Sequence, residues 1–336
     1  MNVLSLFDGI SCARIALERA NIKVDKYYAS EIDKYCIKVT QHNYPDTIQV
    51  GDVTKLKGSD LPEIDLLIGG SPCQGFSQCG KRLNFDDPRS KLFFEYVRLL
   101  DECEPEYFLL ENVRMKKEWQ DIITSYLGIE PVEINSALVS AQNRVRLYWT
   151  NIKTKPVGLF WKLEPDIPQP KDRGILLKDI LLNDVGEEYW LSQKARLLMD
   201  RELPDGRTNW DLKFHGDSED DKSHCVKSNY YKGVPNNALI DRRNASCSFW
   251  DCDFQDHKEM CKECFERDSY QGEQYPTSIV RYFTPEECER LQTIPDNYTS
   301  ILSKTQRYKT IGNAFTVEVI AHILFFIRIK EFPHAH

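Results

Sequence analysis

The first half of the chain predicts an open α/β sheet, and three observations carry that prediction. An apolar strand, Val3 to Phe7, runs through the turn Asp8-Gly9-Ile10-Ser11 into a helix from about Cys12 to Ala20. Strand-like and helical patterns then alternate repeatedly, as parallel sheets with crossover helices require. Carboxylates and glycines punctuate the ends of the strand-like runs, where open α/β sheets hold their ligands.

Each element has its own warrant. The opening strand, Gly turn and helix form the layout of a nucleotide-type cofactor site, with the helix N-terminus facing the ligand. Plain β-α-β structure is the bland alternative for a single Gly turn. Lys26 to Ser30 is a second strand ending at Glu31, and a carboxylate there suits a ribose diol. A solvated surface acid is the alternative. Asp33 to His42 reads as a helix, and Ile48 to Val50 as a short third strand ending at Gly51-Asp52-Val53. Asp52 is a second acid at a strand end, suited to the polar edge of an adenine or an amino group.

The fourth strand, Ile64 to Ile68, leads into Gly69-Gly70-Ser71-Pro72-Cys73-Gln74-Gly75. It delivers Cys73 to the end of the sheet, on a turn that Pro72 stiffens. A free thiol is most often a small buried hydrophobe, so only its neighbours along the chain make Cys73 a candidate nucleophile. The stretch from Gln74 to Arg89 is long, polar and glycine-bearing, which in a compact domain points to function. Its Lys81, Arg82 and Arg89 are candidate contacts to phosphates, with solvated charge as the alternative, and Gln74 and Ser77 of the same stretch are further candidate contacts to a nucleic acid.

Lys91 to Glu102 has helical periodicity, and Glu106 to Leu110 is a fifth strand ending in Glu111-Asn112-Val113. If consecutive units are neighbours, Glu111 ends the strand next to the one bearing Cys73, where a sheltered carboxyl can hold a proton and donate it. Lys116 to Leu127 is a further helix. In Gln142-Asn143-Arg144-Val145-Arg146 the arginines alternate with other residues and share one face of a strand, supplying fixed positive charge.

The character changes after Lys155. Pro156, Pro165, Pro168 and Pro170 make a linker-like stretch, and the chain is irregular and polar to about Ser278. Two units follow: a first of residues 1–155 and 279–336, and a smaller inserted one of residues 156–278. The insert holds Cys247, Cys252, Cys261 and Cys264, with C-x-x-C spacing in the second pair. Four such thiolates can close a tetrahedral structural zinc site; reduced, unligated thiols are the alternative. Downstream, Thr284, Pro285 and Glu287 form a capping box that starts a helix over Glu286 to Gln292. Gln306 to Ile329 contains Ile311-Gly312-Asn313-Ala314-Phe315 and then an apolar helix from about Val317.

Composition bounds the function. The chain has 336 residues, 41% hydrophobic and 29% charged, and a net charge of −8. Any affinity for nucleic acid must therefore come from locally gathered positive charge. Eleven scattered cysteines suit a reducing compartment rather than a disulfide framework. No apolar run reaches membrane-spanning length, and the N-terminus lacks the basic region of a signal peptide. No membrane partner is expected.

Taken together and in order, these motifs resemble those of the DNA cytosine-5 methyltransferases over nearly the whole of the first unit. The resemblance implies a methyltransferase variant of the doubly wound, mostly parallel α/β fold, with a target-recognition domain at 156–278. It implies S-adenosylmethionine as cofactor, lodged by Phe7, Asp8, Gly9 and Ile10, by Glu31 and Ile32, by Asp52 and Val53, and by Gly70, Pro72, Leu92, Asn313 and Phe315. Ser11 stands where the family more often has Gly, and Ala314-Phe315 departs from the usual Ser-Val. Pro72-Cys73-Gln74 resembles the nucleophile motif, Glu111-Asn112-Val113 the acid motif and Gln142-x-Arg144-x-Arg146 the arginine motif. Cys73, Glu111, Arg146 and Arg144 are thereby the expected catalytic group.

The implied partner is double-stranded DNA, with a cognate restriction endonuclease if the protein serves a modification system, and the implied location is the cytoplasm of a bacterial or phage-infected cell. Leu92-Phe93-Phe94-Glu95 also looks like the de novo animal branch. Two rival readings are a tRNA cytosine-5 methyltransferase and a catalytically silent DNA-binding regulator. Cys225-Val226-Lys227 and Cys264-Phe265-Glu266 do not match the Cys-Phe-Thr signature of the tRNA branch, and a silent protein has no need of Cys73, Glu111 and Arg146 together.

Overall fold

A computed structural model describes residues 1–71, 91–157, 162–191, 214–215, 222–230, 238–240 and 280–327. In chain order its first elements are β1 (Asn2–Leu6), α1 (Cys12–Arg19), β2 (Lys26–Ser30), α2 (Lys34–Asn43), β3 (Ile48–Gln49) and β4 (Leu66–Gly69). Then come α3 (Lys91–Cys103), β5 (Tyr107–Val113), α4 (Lys117–Leu127), β6 (Val132–Asn135), β7 (Gln142–Asn143) and β8 (Val145–Thr150). Seven strands form one sheet in the order β3-β2-β1-β4-β5-β8-β6. The pairings from β3 to β5 are parallel, while β8 runs antiparallel to both β5 and β6. The strand order reverses between β1 and β4, the position at which open α/β sheets open a ligand crevice.

Both faces of the sheet are covered, which is why its strands are apolar throughout. Successive residues alternate between two cores. Val3, Leu66, Ile68 and Leu109 pack with Ile15 and Ala16 of α1 and with the C-terminal helix α8 (Val317–Leu324). Leu4, Leu67 and Leu110 pack on the other face with Phe93, Tyr96 and Leu99 of α3 and with Ile123 and Leu127 of α4. The last described segment thus returns to the first, and Arg19 Nη1 meets Glu318 Oε1 at 2.7 Å.

Boundaries differ from the sequence expectation where tertiary pairing decides them. The fifth strand was expected to stop at Leu110. It continues to Val113 because β8 pairs along it, Glu111 opposite Tyr148 and Val113 opposite Arg146. The sequence places Gly312 and Asn313 only in the stretch before the apolar helix that starts at about Val317. They form the last turn of α7 (Lys304–Asn313). Among the described residues beyond β8, Thr154–Val157 and Lys162–Pro165 form an antiparallel pair, and Leu177–Ile180 is a short helix, α5.

The expected capping box is present at α6 (Pro285–Leu291): Glu287 N donates to Thr284 Oγ1, and Thr284 N donates to Glu287 Oε2. Glu287 also takes both Arg281 Nη atoms at 2.7 Å and Leu182 N at 2.9 Å, with both side chains of the pair fully buried. Glu287→Ala removes one partner of a fully buried ion pair, which costs roughly 3–5 kcal/mol. Urea unfolding checks this; an unchanged midpoint contradicts it.

Helices α6 and α7 share a third core with residues of the inserted stretch: Leu177, Ile180, Val226, Tyr230 and Leu239 pack with Phe283, Leu291, Tyr308 and Ile311. Gly312 is the closest approach. A Cβ there would stand 2.3 Å from both Lys227 C and Ser228 N, so only glycine lets this backbone pass.

Candidate active site

The C-terminal ends of β1 to β5 surround a cavity of about 390 Å³. Its wall includes Phe7 and Gly9 after β1, Glu31 and Ile32 after β2, Asp52 and Val53 after β3, and Gly70 and Ser71 after β4. Leu92 from α3, Glu111 from β5, Arg144 and Arg146 from the β7–β8 segment, and Asn313 from the end of α7 complete the expected part of the wall.

The first loop is held in an unusual backbone. Phe7 and Ser11 are left-handed with φ of 56° and 57°, and Gly9 has φ 62°. Ser11 therefore occupies a conformation that glycine adopts without strain, which fits the glycine that the family resemblance leads one to expect there. Its hydroxyl compensates by bonding Asp8 Oδ2 at 2.5 Å and Thr40 Oγ1 at 2.8 Å. Asp8 and Ile10 lie beneath the cavity rather than on its wall: they are 5% and 1% exposed.

Burial lifts the Asp8 carboxyl from 3.8 to about 6, against the hydroxyls of Ser11 and Tyr27, which favour the carboxylate. The folded state thus holds this proton more tightly than the unfolded chain. Its contribution to stability is greatest below pH 3.8 and is lost as pH rises through about 6, a change on the order of 3 kcal/mol. Asp8→Asn removes that titration. The stability of the variant relative to the parent should rise between pH 4 and about 6.5 and then level off. Urea denaturation across that range reads it, and a flat difference contradicts the assignment.

Glu31 is positioned by backbone donors. Gly9 N donates to Oε2 at 2.8 Å, and Ile32 N and Asp33 N donate to Oε1 at 2.7 and 2.8 Å. Asp52 Oδ1 takes the Thr54 amide and hydroxyl at 3.0 and 2.8 Å, and these bonds hold its carboxyl below the usual range. Ile32 is 75% exposed on the same wall, an apolar surface open to a planar ligand. An anchored acid, an exposed apolar face and a second acid in a row suit a ribose, its base and the amino edge of that base. The wall fits the nucleoside end of S-adenosylmethionine.

At the other end of the cavity Arg146 Nε meets Glu111 Oε1 at 3.0 Å, with the two side chains only 15% and 13% exposed. Antiparallel pairing produces this contact, since Glu111 and Arg146 lie diagonally across the β5–β8 ladder on one face. Arg144 takes a different direction. Its Nη2 donates to Ala314 O at 3.0 Å and its Nη1 to Cys225 Sγ at 3.0 Å and Val226 O at 3.2 Å. Arg144 therefore ties the end of α7 to the 222–230 segment, whereas Arg146 holds Glu111. Phe315 packs its ring over Gly70, where a Cβ would come within 2.8 Å of Phe315 Cε1 and 3.2 Å of Glu111 Oε2.

Some of the expected site residues lie outside the described residues: Pro72, Cys73, Gln74, Ser77, Lys81, Arg82 and Arg89, and the cysteines Cys247, Cys252, Cys261 and Cys264. Among the described residues there is no cluster of three or more potential metal ligands, and no helix is long and apolar enough to cross a membrane. Conversely, the wall includes residues that sequence reasoning did not assign. Asn112, 1% exposed, donates to Ser71 Oγ at 3.2 Å and so joins the ends of β4 and β5. Its neighbour Glu111 was the only signal for it. Thr310 and Asp33 also line the cavity, the latter paired with Lys309 at 2.7 Å.

A crevice at a strand-order reversal, lined by anchored acids at one end and an acid–guanidinium pair at the other, suits a protein that takes a nucleoside-bearing cofactor. The family profile described as C-5 cytosine-specific DNA methylase matches residues 1–327, and the chain belongs to that family, whose methyl donor is S-adenosylmethionine. Type II methyltransferase M1.ScrFI of Lactococcus lactis subsp. cremoris is 30% identical over 334 residues, 95% of this chain and 75% of that protein. Type II methyltransferase M.NlaX of Neisseria lactamica is 28% identical over 334 residues, 96% of this chain and 94% of that protein. Among solved structures, DNMT2 of Spodoptera frugiperda superposes with a TM-score of 0.68 at 21% identity, covering 97% of this chain and 99% of that one. The methyltransferase EhMeth of Entamoeba histolytica gives 0.70 at 18% identity, covering 99% of each chain. These superpositions speak to the fold.

Proposed function

We propose that the protein methylates carbon 5 of a cytosine extruded from duplex DNA, with Cys73 as nucleophile, Glu111 as proton donor and Arg146 as the cation that orients Glu111. The observation that carries this reading is the Glu111–Arg146 pair on the wall of the cavity that also includes Ser71, two residues before Cys73. Carbon 5 of cytosine is a poor nucleophile. A thiolate adding to carbon 6, with a proton delivered to ring nitrogen 3, turns the ring into an enamine that can attack a methyl group. Bound S-adenosylmethionine supplies that methyl on a sulfonium.

In this reading Cys73 forms the bond to carbon 6, and Glu111 gives its proton to nitrogen 3 and grips the exocyclic amino group. Arg146 fixes the Glu111 carboxyl through Nε and adds positive potential that favours a thiolate beside it. After transfer, carbon 5 loses its proton to water, the carbon–sulfur bond breaks to return Cys73, and nitrogen 3 gives its proton back to Glu111. Glu31, Ile32 and Asp52 hold the cofactor's ribose and adenine. None of this chemistry is accessible inside a stacked helix, so the base must leave it at a cost of a few kcal/mol.

Residues 156–278 serve as the target-recognition domain, reading base edges in the major groove, where all four pairs are distinguishable. Gln74, Ser77, Lys81, Arg82 and Arg89 contact the DNA around the extruded base. A restriction endonuclease sharing the same site is the partner for a modification role. A structural zinc on Cys247, Cys252, Cys261 and Cys264 would appear as one equivalent of metal in protein never exposed to chelator.

The test of substrate class is side-by-side incubation of duplex DNA and tRNA with labelled S-adenosylmethionine. Label is expected in DNA as 5-methylcytosine within one sequence context. Label in tRNA alone would overturn the assignment.

A further inference from the structure

One described side chain in the centre has no part in the reading above. Cys225 lies 81 residues beyond Arg144 in sequence, in the inserted stretch, yet its sulfur sits between the two arginines. Arg144 Nη1 approaches Sγ at 3.0 Å and Arg146 Nη2 at 3.7 Å. Arg146 meets Glu111 through Nε and donates to its own Val145 carbonyl through Nη1, so the contact to Cys225 engages its remaining nitrogen. Two guanidiniums at such spacing repel unless an acceptor stands between them.

We propose that Cys225 is a positioning residue for methyl transfer: its sulfur accepts from both arginines, sets their separation, and so keeps Arg146 on Glu111. The proposal rests on the catalytic reading of Glu111 and Arg146 given above. Sulfur is suited to the task because it accepts at longer range than oxygen; at 3.7 Å a hydroxyl oxygen would be beyond hydrogen-bonding distance of Arg146.

The charges facing Cys225 are Arg144, from the turn before β8, and Arg146, from β8 itself; Glu111 on β5 is one step further, through Arg146. Burial alone would raise the thiol, but Arg144 and Arg146 outweigh it and hold it below its ordinary value of 9.0. When protonated, the same sulfur can donate to Val226 O at 3.5 Å. Because Val226 N donates to Gln142 Oε1, and Gly312 packs on Lys227, the segment that carries Cys225 is fixed at two further points.

The experiment pairs kinetics with thiol labelling on the full-length protein. Cys225→Ala is expected to lower kcat on duplex DNA about tenfold or more, with S-adenosylmethionine affinity unchanged. Cys225→Ser, which can reach Arg144 but not both arginines, should fall between the parent and the alanine variant. Alkylation of Cys225 by iodoacetamide, followed across pH by peptide mass, should show a midpoint below 9.0 in the parent and a higher one in Arg146→Ala. A Cys225→Ala enzyme with parental kcat and pH profile overturns the proposal. So does an alkylation midpoint at or above 9.0, a reading that stands even if the alanine variant fails to fold. The labelling needs no turnover, so it separates failure of this proposal from failure of the methyl-transfer reading, which a parent enzyme inactive on DNA would reveal.

Discussion

Cys73→Ala is expected to transfer no measurable methyl to DNA while still binding S-adenosylmethionine. The reaction needs a covalent bond at carbon 6, and no other group can supply it by merely being present; alanine removes the step rather than slowing it. Cofactor binding should survive because the residues proposed to hold its ribose and adenine, Glu31, Ile32 and Asp52, stand on the ends of β2 and β3, and the substitution removes only the Cys73 thiol. DNA binding should survive as well, since phosphate contacts rather than the thiol supply most of that affinity. Filter-binding of labelled cofactor alongside labelled transfer measures both. Retained transfer removes Cys73 from the mechanism.

Glu111→Gln is the second large effect. Glutamine keeps the size of the side chain and can still bond Arg146 through its carbonyl oxygen, but it cannot deliver a proton to nitrogen 3. A loss of roughly 10²–10⁴-fold in kcat is expected, the range usual for a positioned general acid. Arg146→Ala should lose a comparable amount, because it leaves Glu111 without the contact at 3.0 Å that orients it. The double variant should be little worse than either single one, since the two residues act as a unit. Steady-state kinetics with duplex DNA measure this. Fully additive losses would show that Arg146 works independently of Glu111.

How much of this was legible beforehand depends on the range of the interaction concerned. The capping box at Thr284 and Glu287 is a contact three residues long, and the sequence pattern alone places it. The apolar strands Val3 to Phe7 and Ile64 to Ile68 were equally plain, because burial on both faces leaves no polar alternation to confuse them. Glu111 was recognisable, but its place inside β5 was not, since the strand is extended by β8, which lies more than thirty residues later. The row of strand-end residues marked the crevice, yet Asp8 and Ile10 belong to its foundation: their backbone makes the turn while their side chains point into the core. Arg144 and Arg146 look equivalent in sequence. Only the packing of α7 and the 222–230 segment sends one toward Ala314 and Cys225 and the other toward Glu111. Nothing local could have shown Cys225 between them.

The most direct test uses duplex DNA in which fluorine replaces hydrogen on carbon 5 of the target cytosine. The final elimination requires loss of a proton from that carbon, and fluorine cannot leave as a cation, so the adduct should accumulate. With S-adenosylmethionine present, the protein should form a complex that survives denaturation, with the added mass on the peptide containing Cys73. An enzyme that methylates ordinary DNA yet forms no such complex, or forms it through another residue, would contradict the account.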